Sequence, residues 1–314
     1  MNINKDIKLI TILGPTATGK TNLANQLAFH IDSEIISADS RQIYKDLIIG
    51  TAQPSISEQD GIPHHLINTM SPRETVSAGS YSALVKKTIL EIKSRSKTPL
   101  ICGGAGLYYR ALANGIFAGS KTDTRIRKKL EDEYDNIGPE KMLSKLKKYD
   151  PDYAKLIHPN NKKRIVRALE ILESTGKAPS LNFKSQKQTS VPKLNMFTIY
   201  LKWDRSKLKD RIASRTINML KNGWIEEVRE IIKKYPSEDL HPLDSIGYRE
   251  IILYLKNELT LESLERTIII KTRQFAKRQM QWFKNEKIDM FIDMNNFHIN
   301  KTDDILNIIK KEIF

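Results

Sequence analysis

Gly14-Pro15-Thr16-Ala17-Thr18-Gly19-Lys20-Thr21 matches the pattern G-x-x-x-x-G-K-T at every position. The apolar run Leu9-Ile10-Thr11-Ile12-Leu13 leads into it, and the helix-like stretch Asn22-Leu23-Ala24-Asn25-Gln26-Leu27-Ala28 leads out. A strand, a glycine-bearing turn and a helix in that order make a phosphate-binding loop. The glycines let the backbone curl around an anion, and the helix adds its positive N-terminal end. Lys20 supplies a full charge for the outer phosphates, and the Thr21 hydroxyl is a ligand for Mg²⁺. Residues 14–21 are therefore expected to hold a di- or triphosphate.

Bulk properties bound what the rest of the chain can be. Its 314 residues are 39% hydrophobic and 28% charged, which suits a globular protein with a buried core. No apolar run approaches the roughly 20 residues of a membrane span. Residues 1–6 lack the apolar segment of a signal peptide, so a cytoplasmic protein is expected. The single cysteine, Cys102, excludes an internal disulfide and a cysteine-based zinc site. Net charge is +15, and residues 120–195 hold 18 basic against 10 acidic side chains, a net of +8. That concentration points to a polyanionic partner rather than a small metabolite.

Taken in order, residues 6–13, 34–39 and 98–104 read as buried strands, with a helix over 77–95 on which Ala83, Leu84, Ile89 and Ile92 are helically spaced. Strand–helix–strand alternation predicts an α/β fold with a parallel sheet, whose ligands bind at the carboxyl ends of the strands. Residues 14–21, Asp39 and Gly103-Gly104 all fall at that edge. A loop carries His64-His65; adjacent residues point apart and no third ligand is near, which favours hydrogen bonding over metal. Residues 120–177 read as charged helices and 178–195 as a loop. Phe197–Leu201 and 288–292 are further strands, residues 245–250 a turn, and 303–313 a closing helix. A long helix over 262–284 places Arg266, Arg273, Lys277 and Lys284 on one face, Gln274 and Gln281 beside them, and Leu264, Phe275, Trp282 and Phe283 opposite. A one-signed stripe suits phosphates. The expected organisation is a core of residues 1–118 and 196–314 interrupted by a helical insertion, 119–195.

Two reaction classes use such a phosphate loop. A kinase of a small metabolite or nucleoside transfers the terminal phosphoryl group, and its metal-binding strand usually ends in Asp; here that strand ends in Gly103-Gly104. The other class holds a diphosphate as a leaving group, with basic residues neutralising the charge that develops. Asp39 would then accept a proton from the nucleophile. A third reading is an RNA-binding protein with an inactive nucleotide site, against which intact Lys20, Thr21 and Asp39 stand.

Residues 14–21, Ser37-Ala38-Asp39-Ser40-Arg41-Gln42-Ile43-Tyr44, Gly50-Thr51-Ala52, His64-His65-Leu66, residues 103–108, residues 164–170, Gly247-Tyr248-Arg249 and Thr272-Arg273-Gln274-Phe275-Ala276-Lys277-Arg278-Gln279 together resemble the bacterial tRNA dimethylallyltransferases. The resemblance runs in order from about residue 8 to residue 285. It implies a P-loop NTPase-like core with a helical tRNA-binding insertion, and Mg²⁺. It also implies transfer of a dimethylallyl group from dimethylallyl diphosphate to the exocyclic N6 amine of the adenosine 3′-adjacent to the anticodon. The tRNAs would be those reading codons that begin with U, and the enzyme a monomer with no obligate protein partner. By the same resemblance Gly14, Pro15, Thr16, Ala17, Thr18, Gly19, Lys20 and Thr21 bind the diphosphate, Thr21 carries the metal, and Asp39, Arg127 and Lys20 are catalytic. Asp39, Ser40, Arg41, Gln42, Ala105, Arg127, Lys163, Arg164, Ile165, Val166 and Arg167 would contact tRNA. So would Gly247, Tyr248, Arg249, Arg273, Lys277, Arg278, Gln281 and Lys284. Two positions depart from the family: Ala105 stands where Thr is usual, and Thr122-Asp123-Thr124-Arg125 replaces Ala-Asp-Pro-Glu.

Overall fold

A computed structural model describes residues 8–115, 123–182, 193–236, 238–297 and 302–313. Residues 1–7, Thr122 and most of the loop expected over 178–195 lie outside them. Within that loop, residues 179–182 form a helical turn and Asn195 opens a strand.

The chain divides into two compact units, residues 1–113 with 193–314, and residues 114–192. The first is built on a six-stranded sheet of order β3-β2-β4-β1-β5-β6, with every pair parallel. Its strands are β1 (Lys8–Leu13), β2 (Ser33–Ala38), β3 (His64–His65), β4 (Thr98–Gly103), β5 (Asn195–Lys202) and β6 (Met290–Asp293). The four central strands are apolar on both faces because helices cover both. Side chains alternate across a strand. Ile10, Ile12, Ile35 and Leu100 therefore meet α1 (Lys20–His30) and α13 (Thr302–Ile313), while Leu9, Ile36 and Ile101 meet α3 (Ala78–Ser94) on the other face. Among the described residues no helix is long and apolar enough to cross a membrane.

Some local expectations change. The buried face of α3 runs through Tyr81, Val85, Ile89 and Ile92, whereas Ala83 is exposed. Tyr81 earns its place by stacking on Tyr108, with ring centroids 3.9 Å apart, and by donating its hydroxyl to the Ser37 carbonyl at 3.0 Å. His64-His65 is a short strand rather than a loop. It pairs with Ile35 and Ile36, and the His65 ring meets the Glu34 carboxylate at 2.6 Å. The turn expected over 245–250 ends early, because Tyr248 already opens helix α11 (Tyr248–Leu255).

The second unit holds α5 (Thr124–Ile137), α6 (Pro139–Tyr149), α7 (Pro151–Ala154) and α8 (Lys162–Thr175). Side-chain caps start three of these helices, α5, α7 and α8: Asp123 accepts from the Arg125 and Ile126 amides, Asp150 from Tyr153, and Asn161 from Arg164. Leu130, Tyr134, Met142, Leu146, Ile165, Val166 and Leu169 form its core. Glu170 is buried in that unit. Its carboxylate takes the Asp123 amide at 3.0 Å, Arg127 Nη2 at 2.9 Å and Arg167 Nη1 at 2.9 Å.

Gly103 shows how closely the central strands meet. A Cβ there would lie 2.1 Å from the Ala38 carbonyl oxygen, a backbone atom that cannot step aside. Gly103→Ala is expected to destabilise the protein by at least about 2 kcal/mol, read as a lower urea midpoint with an unchanged m-value.

Candidate active site

The phosphate loop begins where β1 ends. Gly19 has φ 86° and Ala17 φ 64°, both left-handed. Glycine adopts that conformation at no steric cost, and two such residues turn the chain back before α1. Inside the loop, Thr18 Oγ1 donates to the Pro15 carbonyl at 2.9 Å and Lys20 Nζ to the same oxygen at 2.7 Å.

Distant residues hold the loop from outside. Helix α9 (Arg205–Lys221) follows β5 and sends Arg211 Nε to the Ala17 carbonyl at 2.8 Å and Arg215 Nη1 to Thr16 Oγ1 at 3.1 Å. Trp203 Nε1 donates to the Thr18 carbonyl at 3.0 Å, and the Arg211 guanidinium lies over its ring. Gln279, on α12 (Leu261–Phe283), accepts from the Thr16 amide at 2.9 Å and donates to the Gly104 carbonyl at 3.0 Å. Sequence reasoning missed Trp203, Arg211 and Arg215. The four-residue spacing of the two arginines after a strand was the available signal. Gln279 was quoted in a motif but given no role, although Leu264, Ile268, Ala276, Gln279 and Phe283 form one buried helical stripe.

The electrostatics follow from crowding cations beside one carboxylate. Burial lowers Lys20 to about 8, the Arg215 charge pushes the same way, and the Asp39 charge opposes. Burial also lowers Arg215, again opposed by Asp39. A cluster of cations of this kind suits a polyanion. Asp39 follows β2, and its Oδ1 accepts the Arg41 amide at 2.8 Å and the Gln42 amide at 3.3 Å. Both bonds fall on one oxygen. Ser40 and Arg41 are half-exposed beside it. The Gln42 amide is committed to the protein: it accepts from Ser37 Oγ and donates to the Thr51 and Ala52 carbonyls. Ala105 is half-buried, and its amide donates to the Ala38 carbonyl at 3.1 Å.

Thr21 stands in the first turn of α1, half-exposed. A hydroxyl oxygen at a phosphate loop suits Mg²⁺, which takes its remaining ligands from water and phosphate oxygens. No group of three or more His, Cys, Asp or Glu able to hold a metal occurs among the described residues. The donor set therefore fits an ion bound largely through a diphosphate.

The residues expected to contact RNA differ widely in exposure. Tyr248 is buried and its hydroxyl donates to Glu227 at 2.7 Å. Gly247 packs against Trp224, and Arg249 pairs with Asp244. Ile165 and Val166 are buried in the second unit, while Lys163 and Arg164 are exposed and Arg167 is half-buried. Arg127 lies in that unit, bound to Glu170 through Nε and Nη2. On α12, Arg266, Gln274, Lys277, Arg278, Gln281 and Lys284 are exposed and Arg273 is half-buried. Phe275, expected on the covered side, is 39% exposed.

Comparison with known proteins places these features in a family. The IPP transferase family pattern matches residues 42–286. A tRNA dimethylallyltransferase of Halothermothrix orenii is 41% identical, over 94% of this chain and 88% of its own length. One from Bacillus subtilis is 38% identical, over 91% and 90%. Among solved structures, the full-length tRNA isopentenylpyrophosphate transferase of Bacillus halodurans superposes with a TM-score of 0.71 at 36% identity, covering 98% of this chain and 97% of that one. A eukaryotic dimethylallyltransferase captured acting on tRNA gives a TM-score of 0.81 at 29% identity, covering 97% and 78%.

The lowered Lys20 has a direct thermodynamic consequence. With a value of about 8 in the free protein, the ammonium is partly deprotonated at mild alkaline pH, and a bound diphosphate raises it. Diphosphate affinity is therefore highest below pH 8 and falls as pH rises through 8. At pH 8, binding takes up about half a proton per site, measurable by calorimetry in buffers of different ionisation enthalpy. Lys20→Met removes that share of the uptake.

Proposed function

The chain belongs to the IPP transferase family, and on that premise we propose that it moves the dimethylallyl group of dimethylallyl diphosphate onto the N6 amine of the adenosine 3′-adjacent to a tRNA anticodon. The observation that supports this best is one carboxylate, Asp39, beside a cation-lined phosphate loop on a single sheet edge. The tRNAs are those reading codons that begin with U, a subset inherited from the resemblance.

The adenine amine is a weak nucleophile because its lone pair is delocalised into the ring. It attacks C1 of the dimethylallyl group while the C1–O bond breaks and the diphosphate departs with the bonding pair. The Asp39 carboxylate takes the N6 proton. Residues 14–21 hold the diphosphate, and Lys20 and Arg215 neutralise its growing charge. Thr21 would hold Mg²⁺, which would supply further charge neutralisation for the leaving group. The target base leaves its stack to be reached, and an unpaired anticodon-loop base is the kind that proteins read in RNA. Lys163, Arg164 and the exposed cations of α12 provide phosphate contacts. A kinase remains the competing class, and the glycines at the end of β4 leave it without the usual metal-binding Asp.

Incubation with total tRNA, Mg²⁺ and labelled dimethylallyl diphosphate, followed by RNA digestion, is expected to show the added five-carbon mass on one adenosine. Consumption of ATP on a small acceptor, with RNA unchanged, overturns the proposal. Asp39→Ala is expected to keep tRNA affinity and lose at least about 10²-fold in turnover; unchanged turnover removes Asp39 as the base. Replacing Arg266 and Lys277 together should weaken tRNA binding and flatten the log–log salt slope by about 1.5. An unaltered slope removes that face from the RNA surface.

A further inference from the structure

Two motifs singled out in the sequence, Gly50-Thr51-Ala52 and Gly247-Tyr248, have no part in the chemistry above, yet they converge on one side chain. Glu227 stands on α10 (Trp224–Lys234), half-buried. Its Oε2 accepts the Ile48 amide at 2.9 Å and the Ile49 amide at 2.6 Å. Its Oε1 accepts the Gly50 amide at 3.1 Å and the Tyr248 hydroxyl at 2.7 Å. Three successive backbone N–H groups closing on one charged acceptor form a strong local anchor. The neighbouring packing makes room for it. A Cβ on Gly50 would lie 2.0 Å from Trp224 Nε1, and one on Gly247 would lie 2.0 Å from the same indole. The Trp224 ring is thus held between two glycines, with the Tyr248 ring edge-on to it.

The anchored loop leads straight to the residues proposed to meet the adenosine. The Gln42 amide donates to the Thr51 carbonyl at 3.3 Å and the Ala52 carbonyl at 2.9 Å. Gln53 returns the tie, its Nε2 donating to the Gln42 and Tyr44 carbonyls at 2.9 Å and to Leu47 at 3.1 Å. The hydrogen bonds that hold residues 14–21 run elsewhere, to α9, α12 and Trp203. The diphosphate loop and the nucleobase segment therefore have separate supports.

We propose that Glu227 is a positioning residue for the acceptor half of the reaction. Through the loop over 48–53 it holds residues 39–42 in the arrangement the target adenosine meets, with Tyr248 fixing the carboxylate. This rests on the transfer reaction proposed above. A side-chain amide at position 227 offers one oxygen to three N–H groups and turns an N–H donor towards them, so Glu227→Gln releases the loop.

The test measures the two substrates apart. In Glu227→Gln, kcat for prenyl transfer to tRNA should fall by about 10- to 100-fold, as misplacement of a reacting group commonly costs. The tRNA KM should rise, while the Kd of a non-transferable dimethylallyl thiodiphosphate stays within about twofold. Tyr248→Phe should move the same parameters the same way by a smaller factor, and the double variant should be no worse than Glu227→Gln. Unchanged kcat in both variants overturns the proposal, and so does an equal loss of affinity for both substrates, the mark of general softening. If Glu227→Gln does not fold, Tyr248→Phe decides by the same criteria. An unmodified enzyme that leaves tRNA untouched overturns the transfer reading itself; an active one matched by its variants overturns the positioning role alone.

Discussion

Leu13, Gly103 and Ala38 stand in one row across the sheet, through the parallel registers of β1 with β4 and of β4 with β2. Each chain leaves the sheet immediately after that row. The phosphate loop, the Gly104 junction and Asp39 therefore emerge side by side at one level. Parallel pairing with no slip is the condition for this, because a shift of one residue would send every side chain of the strand to the opposite face. Gly103 is where the condition is tightest, since its missing side chain lets β4 lie directly against Ala38.

Around that row the site is stiffened from a distance. Arg211 and Arg215 reach the loop from a helix that follows the fifth strand, and Gln279 ties the loop to Gly104 from the long twelfth helix. Trp203 closes the remaining side. The loop's carbonyl oxygens at Pro15, Ala17 and Thr18 are all taken by protein donors. Positive charge accumulates at the same time, and burial depresses Lys20 and Arg215 against the opposing charge of Asp39. A bound polyanion offsets that crowding of positive charge.

The same division of labour marks the nucleobase side. Gln42 was expected to read the base, yet its amide spends its donors on backbone carbonyls and holds a loop instead. Tyr248 was expected on RNA, yet it is buried against Glu227. Ile165 and Val166, within a basic segment, are core residues of the helical unit. Each of these expectations came from a motif. A motif says that a residue matters without saying whether it faces the ligand or supports the residue that does. The apolar members of the 163–167 segment could have been assigned by helical period, because Ile165, Val166 and Leu169 share a face. Gln42 and Tyr248 could not, since their partners lie in segments distant along the chain or in an irregular loop.

The chain's own order of residues determined the phosphate loop, the sheet that presents it and the acid at the next strand end. These depend on local spacing: an apolar run, a glycine pattern, a helix start, a period of two or of 3.6. It also carried the charge bias of residues 120–195, which is simple counting. Only the tertiary structure decided which cations stand at the loop and which polar groups are spent on support. Hydrogen bonds such as Thr16 with Gln279, or Gly50 with Glu227, join residues more than a hundred positions apart. No local period encodes such a pair; it exists because packing against a common sheet brings the two helices to its edge.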